Sequence, residues 1–362
     1  MSENDPKAIF AERLKQARAM SGLSLRKLEQ AIGGVVSYNA LSKYEKGEMM
    51  PNSDVLMAVS EATGQSYGFF FRPKHSEISD IKFRRLISQS GKKESVAIQQ
   101  QATDFFERYF EILSILGIND AFKNPLGQRG IRTPGDAEKA ADSLREKWKL
   151  GLNAIPNVHQ MLEENNVKVY EVDAPLTHDG FSGWIDKHPV VGVAKHLNKQ
   201  CLTRKRHTLL HELAHILFKD RLGEEVDESL EEKLAPRLAG ALMLPADAFF
   251  KEFGKSRSSL SLTELIDVKV KYGISIASIM VRAHQLECIS EAMYNRFWKT
   301  YKEENWKEGE PGDDEYVGDE SSSRFKQLVY RALAEGEITR SKAAELLVVS
   351  VDEIRKEYAA FQ

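Results

Sequence analysis

Residues 207–218 read HTLLHELAHILF, and within them His211, Glu212 and His215 form the pattern H-E-x-x-H. On an α-helix, residues four apart lie one turn apart on one face, so both imidazoles can bind a single Zn²⁺. A glutamate directly after the first ligand sits where its carboxylate can take a proton from a water on the metal. Leu209, Leu210, Leu213, Ile216, Leu217 and Phe218 supply apolar surface, and no Gly or Pro interrupts the run. The pattern therefore asks for a helix buried on several sides. A packed structural histidine pair, with Glu212 in a cap or an ion pair, is the competing reading, and a purely structural site has no need of that carboxylate.

A chain of 362 residues has the length for two or three domains, each able to bury a core. Its net charge of −3 gives no global bias toward nucleic acid, so a DNA-binding reading has to rest on a local motif. The start, MSENDPKAIF, has neither a basic n-region nor an apolar h-region, and no segment reaches the roughly 18 apolar residues of a membrane span. Cys201 and Cys288 lie far apart and suggest no disulfide framework. The expectation is a cytoplasmic protein without a membrane partner.

Residues 8–21 pattern as an amphipathic helix through Phe10, Leu14 and Ala17, and a second helix at 24–32 begins at a cap, Ser24. Gly33-Gly34 makes a turn. A third helix over 37–47 has Ser37 as its cap and Gly47 as its stop, and a fourth runs from about 53 to 64. Short helices with a glycine turn between the second and third predict a helix-turn-helix domain over 8–72. Residues 73–134 read as a linker and helical connector, polar over 73–94 and then helical from about 95 to 116. Further on, a helix is expected at 136–150, a strand at 167–173 and an antiparallel hairpin over 180–194, with helices near 228–243, 261–272 and 275–286. Residues 301–323 are acidic and Gly/Ser-rich and read as a linker; 324–362 again reads as helices, with Thr339 and Ser350 as caps.

A catalytic zinc site takes three protein ligands and leaves a position for water. Downstream of His215 the carboxylates are Asp220, Glu224, Glu225, Asp227, Glu228, Glu231 and Glu232. In EEKLAPRLAGALMLP (231–245) the buried stripe is marked by Leu234, Leu238, Ala241 and Leu242, and both Glu231 and Glu232 flank its start. Periodicity rejects neither.

HTLLHELAH (207–215) and the later E-K-L-A-P-R-L-A-G-A-L-M-L-P (232–245) resemble the two signature helices of the ImmA/IrrE family of bacterial and phage metallopeptidases. The resemblance spans roughly residues 135–300 and includes GFSGWIDKHPVVGVA before the zinc helix. It implies His211, His215 and Glu232 as metal ligands for Zn²⁺ and Glu212 as the general base. Three departures are Ala214 for the usual Gly, Pro236 for Asn and Leu238 for Phe; Pro236 bears on how the second helix begins and so on where Glu232 sits. His207, one turn before His211, is a further group that can approach the site, with a role at an oxyanion set against a packed or solvated histidine.

Residues 10–64, through RLKQARAMSGLSLRKLEQA and S-Y-N-A-L-S-K-Y-E-K-G-E-M-M-P, resemble the Cro/CI (XRE) repressor family. That resemblance puts the third helix in the major groove and implies Ser37, Tyr38, Asn39, Ser42, Lys43 and Lys46 as DNA contacts, Asn39 suited to adenine and Lys43 to guanine or phosphate. Here the turn before that helix is about two residues longer than usual, and Leu25 stands where the family often has Gln. The C-terminal SKAAELLVVS has a similar cast without an evident basic helix, and reads as a docking or oligomerisation piece compatible with a homodimer.

The expected fold class is α+β and mainly helical: an all-α helix-turn-helix domain, a zincin-like metallopeptidase domain over 135–300 with a small antiparallel sheet, and a short helical C-terminal module. The expected function is a DNA-binding regulator, bound to a double-stranded operator, whose zinc endopeptidase cleaves a repressor or partner protein. The alternative is a non-proteolytic, antitoxin-like repressor whose peptidase-like domain senses metal or ligand.

Overall fold

Side-chain caps set the first helices. The computed structural model describes residues 5–73, 92–119, 121–127, 130–175, 179–185, 187–219, 221 and 228–358. α1 (Pro6–Met20) begins at Asp5, and Ser24 accepts from the Lys27 N–H to open α2 (Leu25–Ala31). Ser37 accepts from the Ala40 N–H to open α3 (Tyr38–Glu45), and Asn52 caps α4 (Ser53–Thr63). Between α2 and α3, Gly33 and Gly34 take φ of 66° and 72°, a left-handed pair that only glycine adopts without strain. A 3-10 turn at Tyr67–Phe71, not anticipated from the sequence, adds Phe69 and Phe70 to the core of Phe10, Leu14, Leu28, Leu41, Tyr44, Val55 and Val59.

The long α5 (Lys92–Ile115) is tied to this core by charge. Arg13 on α1 lies 2.5 Å from Glu107 and donates from Nε to the Arg72 carbonyl at 2.8 Å. Arg72 pairs with Asp104, which also meets Arg108 at 3.0 Å. Burial would raise the Asp104 carboxyl, but Arg108 and Arg72 hold it below the usual carboxylate range. The polar segment 74–91 of the expected linker lies outside the described residues.

The next elements are α6 (Pro134–Lys147), α7 (Val158–Glu164), β1 (Lys168–Val172), β2 (Gly180–Ile185), β3 (His188–Ala194), α8 (Leu202–Phe218), α9 (Glu228–Met243), α10 (Ala246–Phe253), α11 (Leu262–Tyr272), α12 (Ile276–Gln285) and α13 (Glu291–Glu303). The strand order is β1-β3-β2. β2 and β3 form the expected antiparallel hairpin, but β1 runs parallel to β3, pairing Lys168 with Val190 and Val172 with Ala194. The sheet is therefore mixed rather than antiparallel. The chain passes from β1 to the far edge and returns through the hairpin, which leaves β3 in the centre. Its run Pro189–Ala194 is buried throughout, as suits a strand covered on both faces. α7, α10 and α13 were not foreseen in the sequence.

Of the acidic segment 301–323, expected as a linker, residues 301–322 are held within the same unit, Ala121–Ser322. Glu310 accepts from the Ile276 and Ala277 N–H groups at the start of α12, at 2.7 and 2.9 Å, and Lys269 lies 3.2 Å from it. Glu320 accepts from the Val158 N–H at the start of α7 at 2.8 Å and pairs with the buried Arg206. Carboxylates of a segment that reads as a linker satisfy free N–H groups at two helix N-termini.

Residues 323–362 belong to one unit with residues 1–120. α14 (Arg324–Ala334) and α15 (Arg340–Leu347) pack on α5, with α16 (Val351–Tyr358) against α15; Phe325 stacks on Tyr109 at 5.2 Å, and Leu328, Val329 and Leu346 join Ile112 and Leu113. Thr339 and Ser350 cap α15 and α16 as the sequence suggests. No described helix is long and apolar enough to cross a membrane.

The turn between α15 and α16 holds Val348 in the left-handed region, φ 55° and ψ 49°, with the residue 57% exposed. A β-branched residue is disfavoured there by about 1–2 kcal/mol, and its exposed side chain recovers little by packing. Val348→Gly is expected to stabilise the fold by about 1 kcal/mol after the entropy cost of glycine. Urea unfolding would show a higher midpoint at an unchanged slope.

Candidate metal centre and helix-turn-helix face

α8 carries His211, Glu212 and His215, and its apolar residues Leu209, Leu210, Leu213, Ile216 and Leu217 sit in the main core with Leu234, Leu238 and Leu242 of α9. Packing α8 on α9 brings the start of α9 opposite the two imidazoles. His211 Nε2 and His215 Nε2 face each other at 3.1 Å. The Glu232 carboxylate lies 3.8 Å from His211 Nε2 and 3.5 Å from His215 Nε2. One donor atom from each of these three residues falls within 4.8 Å of the others. Ligands arranged tetrahedrally about 2.0–2.1 Å from a zinc ion would be roughly 3.3 Å apart, so the spacing and the N,N,O donor chemistry fit a metal.

Glu231 and Glu232, which periodicity does not separate and of which the family resemblance implies Glu232 as the ligand, face different ways. Glu231 is 2% exposed, and its Oε1 lies 2.7 Å from His215 Nδ1. A carboxylate accepts from Nδ1–H, which leaves the Nε2 lone pair of His215 directed at the candidate site. Glu232 is the carboxylate turned toward both histidines. Pro236 does not break α9, which runs through it. Lacking an N–H, it leaves the Glu232 carbonyl without its usual i+4 donor. Asp220 and the carboxylates at 224–227 lie outside the described residues.

Glu212 is 3% exposed and accepts a hydrogen bond from Ser182 Oγ at 2.7 Å. Ser182 is on β2, and Gly180 two residues earlier lets that strand approach α8. A Cβ at position 180 would lie 2.6 Å from Thr208 Cγ2 and 3.3 Å from Glu212 Cγ. His207 lies one turn before His211 with ring centroids 6.4 Å apart, and burial pushes its pKa down. The first turn of α8 is anchored by Lys205, 2.7 Å from Glu171 of β1. Burial would raise the Glu171 carboxyl, but hydrogen bonds from His159, Lys205 and Asn198 and the Lys205 charge lower it to about 2.

On α3, Leu41 and Tyr44 point into the core, while Ser37, Tyr38, Asn39, Lys43 and Lys46 are exposed and Ser42 is half-buried. All six residues expected from the sequence thus lie on or beside one short helix. The exposed Arg26 of α2, which sequence reasoning missed, holds its guanidinium 5.4 Å from the Tyr38 ring centroid. Ser182 was missed as well, because its contact with Glu212 spans 30 residues and leaves no local pattern.

Residues 162–284 match the peptidase family described as the IrrE N-terminal-like domain. Residues 14–70 match the helix-turn-helix family. The chain thus carries a helix-turn-helix domain followed by an IrrE-like, peptidase-type domain, and the second match spans β1 through α12 with the whole candidate site. No curated protein matches the chain. Among solved structures, the apo form of ComR from S. thermophilus is 14% identical, with 98% of this chain and 100% of that chain covered. Its TM-score is 0.17, so it carries no argument about architecture or function.

Removing the carboxylate charge beside His215 Nδ1 while keeping the side-chain shape tests how that charge supports the ring. Glu231→Gln is expected to weaken zinc binding about 10–100-fold, and Glu232→Ala to weaken it further. Competition with a chromogenic chelator measures both. Wild-type affinity in Glu231→Gln would show that the charge of Glu231 gives the metal site no support.

Proposed function

We propose that this chain is a DNA-binding transcriptional regulator whose IrrE-like domain is a zinc-dependent endopeptidase acting on a repressor or partner protein. The observation that carries the reading is the buried Glu212 carboxylate, one residue from His211 and held by Ser182. A site kept only for structure has no use for it.

His211, His215 and Glu232 would hold the ion, which when bound supplies Lewis-acid polarisation of a scissile carbonyl and brings a water's pKa toward 7. Ser182 Oγ–H donates to Glu212 Oε2 and so fixes the plane of that carboxylate. Glu212 Oε1 accepts a proton from the attacking water and delivers it to the amine nitrogen that leaves. Glu231 keeps the His215 ring oriented through Nδ1. β2 is the edge of the described sheet beside this site, and an extended peptide can add to it as a further strand, its backbone aligned by the ladder. α3 reads DNA through Asn39 and Lys43, with Ser37, Tyr38, Ser42 and Lys46 around them.

Glu212→Gln separates peptidase from sensor. Its zinc content is expected to match wild type while cleavage falls by about 10²–10⁴-fold. Comparing the cellular proteome with each form shows the cut protein. Identical proteomes together with an intact regulatory output would sink the peptidase reading and leave a metal or ligand sensor.

The DNA reading has its own check. Genomic fragments selected by the full chain are expected to bind Asn39→Ala about 1–3 kcal/mol more weakly, with relaxed preference at one base pair. Lys43→Ala would weaken binding and flatten its salt dependence if it contacts phosphate. Unchanged binding by both variants would exclude α3 as the reading helix.

A further inference from the structure

The α2–α3 pair holds an arginine that the rest of the fold leaves unused. Arg13, Arg18, Arg72 and Arg108 of the same unit each meet a carboxylate. Arg26, exposed on α2, forms no ion pair among the described residues. Its guanidinium lies instead over the ring of Tyr38, 5.4 Å from the centroid. The left-handed turn at Gly33-Gly34 folds α2 back on α3, which brings Arg26 to the first residue of the third helix. A planar cation on an aromatic face covers that face and restricts the ring's rotamers. Tyr38 is still 39% exposed, and no second ring or cation among the described residues lies against it. Leu41 and Tyr44, not Tyr38, fill the inner side of α3.

With α3 in the major groove, such a ring meets base edges. Those edges carry hydrogen-bonding atoms and one apolar group, the C5 methyl of thymine. Asn39, next in the chain, offers an amide to the polar atoms. A ring face offers no donor or acceptor and matches the methyl. We propose that Tyr38 selects a thymine through contact between its ring and that methyl group, and that Arg26 is the positioning residue that holds the ring for it. Arg26 acts through Tyr38 and touches no base. The inference rests on α3 as the reading helix; to that reading it adds a residue on α2 and the identity of one base.

The test uses the full chain and duplexes that it selects from a random-sequence pool. The wild-type chain is expected to select thymine at one position. Replacing that thymine by uracil, which lacks only the methyl group, should weaken binding about fourfold, as burial of one methyl group implies. Tyr38→Phe keeps the ring and is expected to keep that ratio, whereas Tyr38→Ala brings it to about one. Arg26→Ala should lower the ratio to about twofold or less while the slope of affinity against salt stays that of wild type. Equal binding of thymine and uracil by the wild-type chain at every selected position, or a wild-type ratio in Tyr38→Ala, would overturn the thymine assignment. A wild-type ratio in Arg26→Ala would overturn the positioning role, and a salt slope lower by about one would make Arg26 a phosphate contact instead. Failure to select any sequence would overturn the DNA reading and this inference with it. Loss of binding in Asn39→Ala beside an unchanged ratio in Tyr38→Ala would leave α3 as the reading helix and overturn this inference alone.

Discussion

A buried polar group must find a partner, and α8 multiplies that demand along one helix. It carries Lys205, Arg206, His211, Glu212 and His215 while its leucines sit in the core of the domain. Each neighbouring element answers one of these groups. β1 brings Glu171 to Lys205, the acidic strap brings Glu320 to Arg206, β2 brings Ser182 to Glu212, and α9 brings Glu231 and Glu232 to the histidines. The arrangement of the domain around α8 is thus also the arrangement of the candidate site.

What was legible in the sequence follows from distance along the chain. His211, Glu212 and His215 share one helix turn, and Ser24, Ser37, Thr339 and Ser350 cap the helices that start beside them, so these features show as local patterns. The division of labour between Glu231 and Glu232 depends on how α9 rotates against α8, which periodicity cannot reveal; only the family resemblance pointed to Glu232. The parallel pairing of β1 was hidden for a similar reason, since a hairpin shows in sequence and a crossover does not. Acidic residues at 310–320 read as part of a linker because partners such as the N–H groups at 158, 276 and 277 are backbone and have no letter in the sequence.

The helix-turn-helix domain is held to α5 by guanidinium–carboxylate contacts rather than by apolar packing alone. Arg13, Arg72 and Arg108 share Asp104 and Glu107, and almost no solvent reaches them. Removing one member would strand a charge in low dielectric, so the group behaves as a unit. Such a network constrains geometry more tightly than a greasy contact, because guanidinium forks accept few orientations. The orientation of α1, and of the α2–α3 pair packed on it, is specified from within the same unit.

Gly180 marks where the candidate site is open to loss without any change in its chemical groups. β2 lies close to α8 where position 180 has no side chain, and a Cβ there would meet Thr208 Cγ2, the Gly192 carbonyl of β3 and Glu212 Cγ, in that order of distance. One added methyl group there would push apart the strand that offers Ser182 and the helix that offers the carboxylate. Both histidines and both glutamates of α9 would remain in the sequence, and the H-E-x-x-H string would be intact. A relative with alanine at this position would look like a peptidase by every motif and be built differently at its centre.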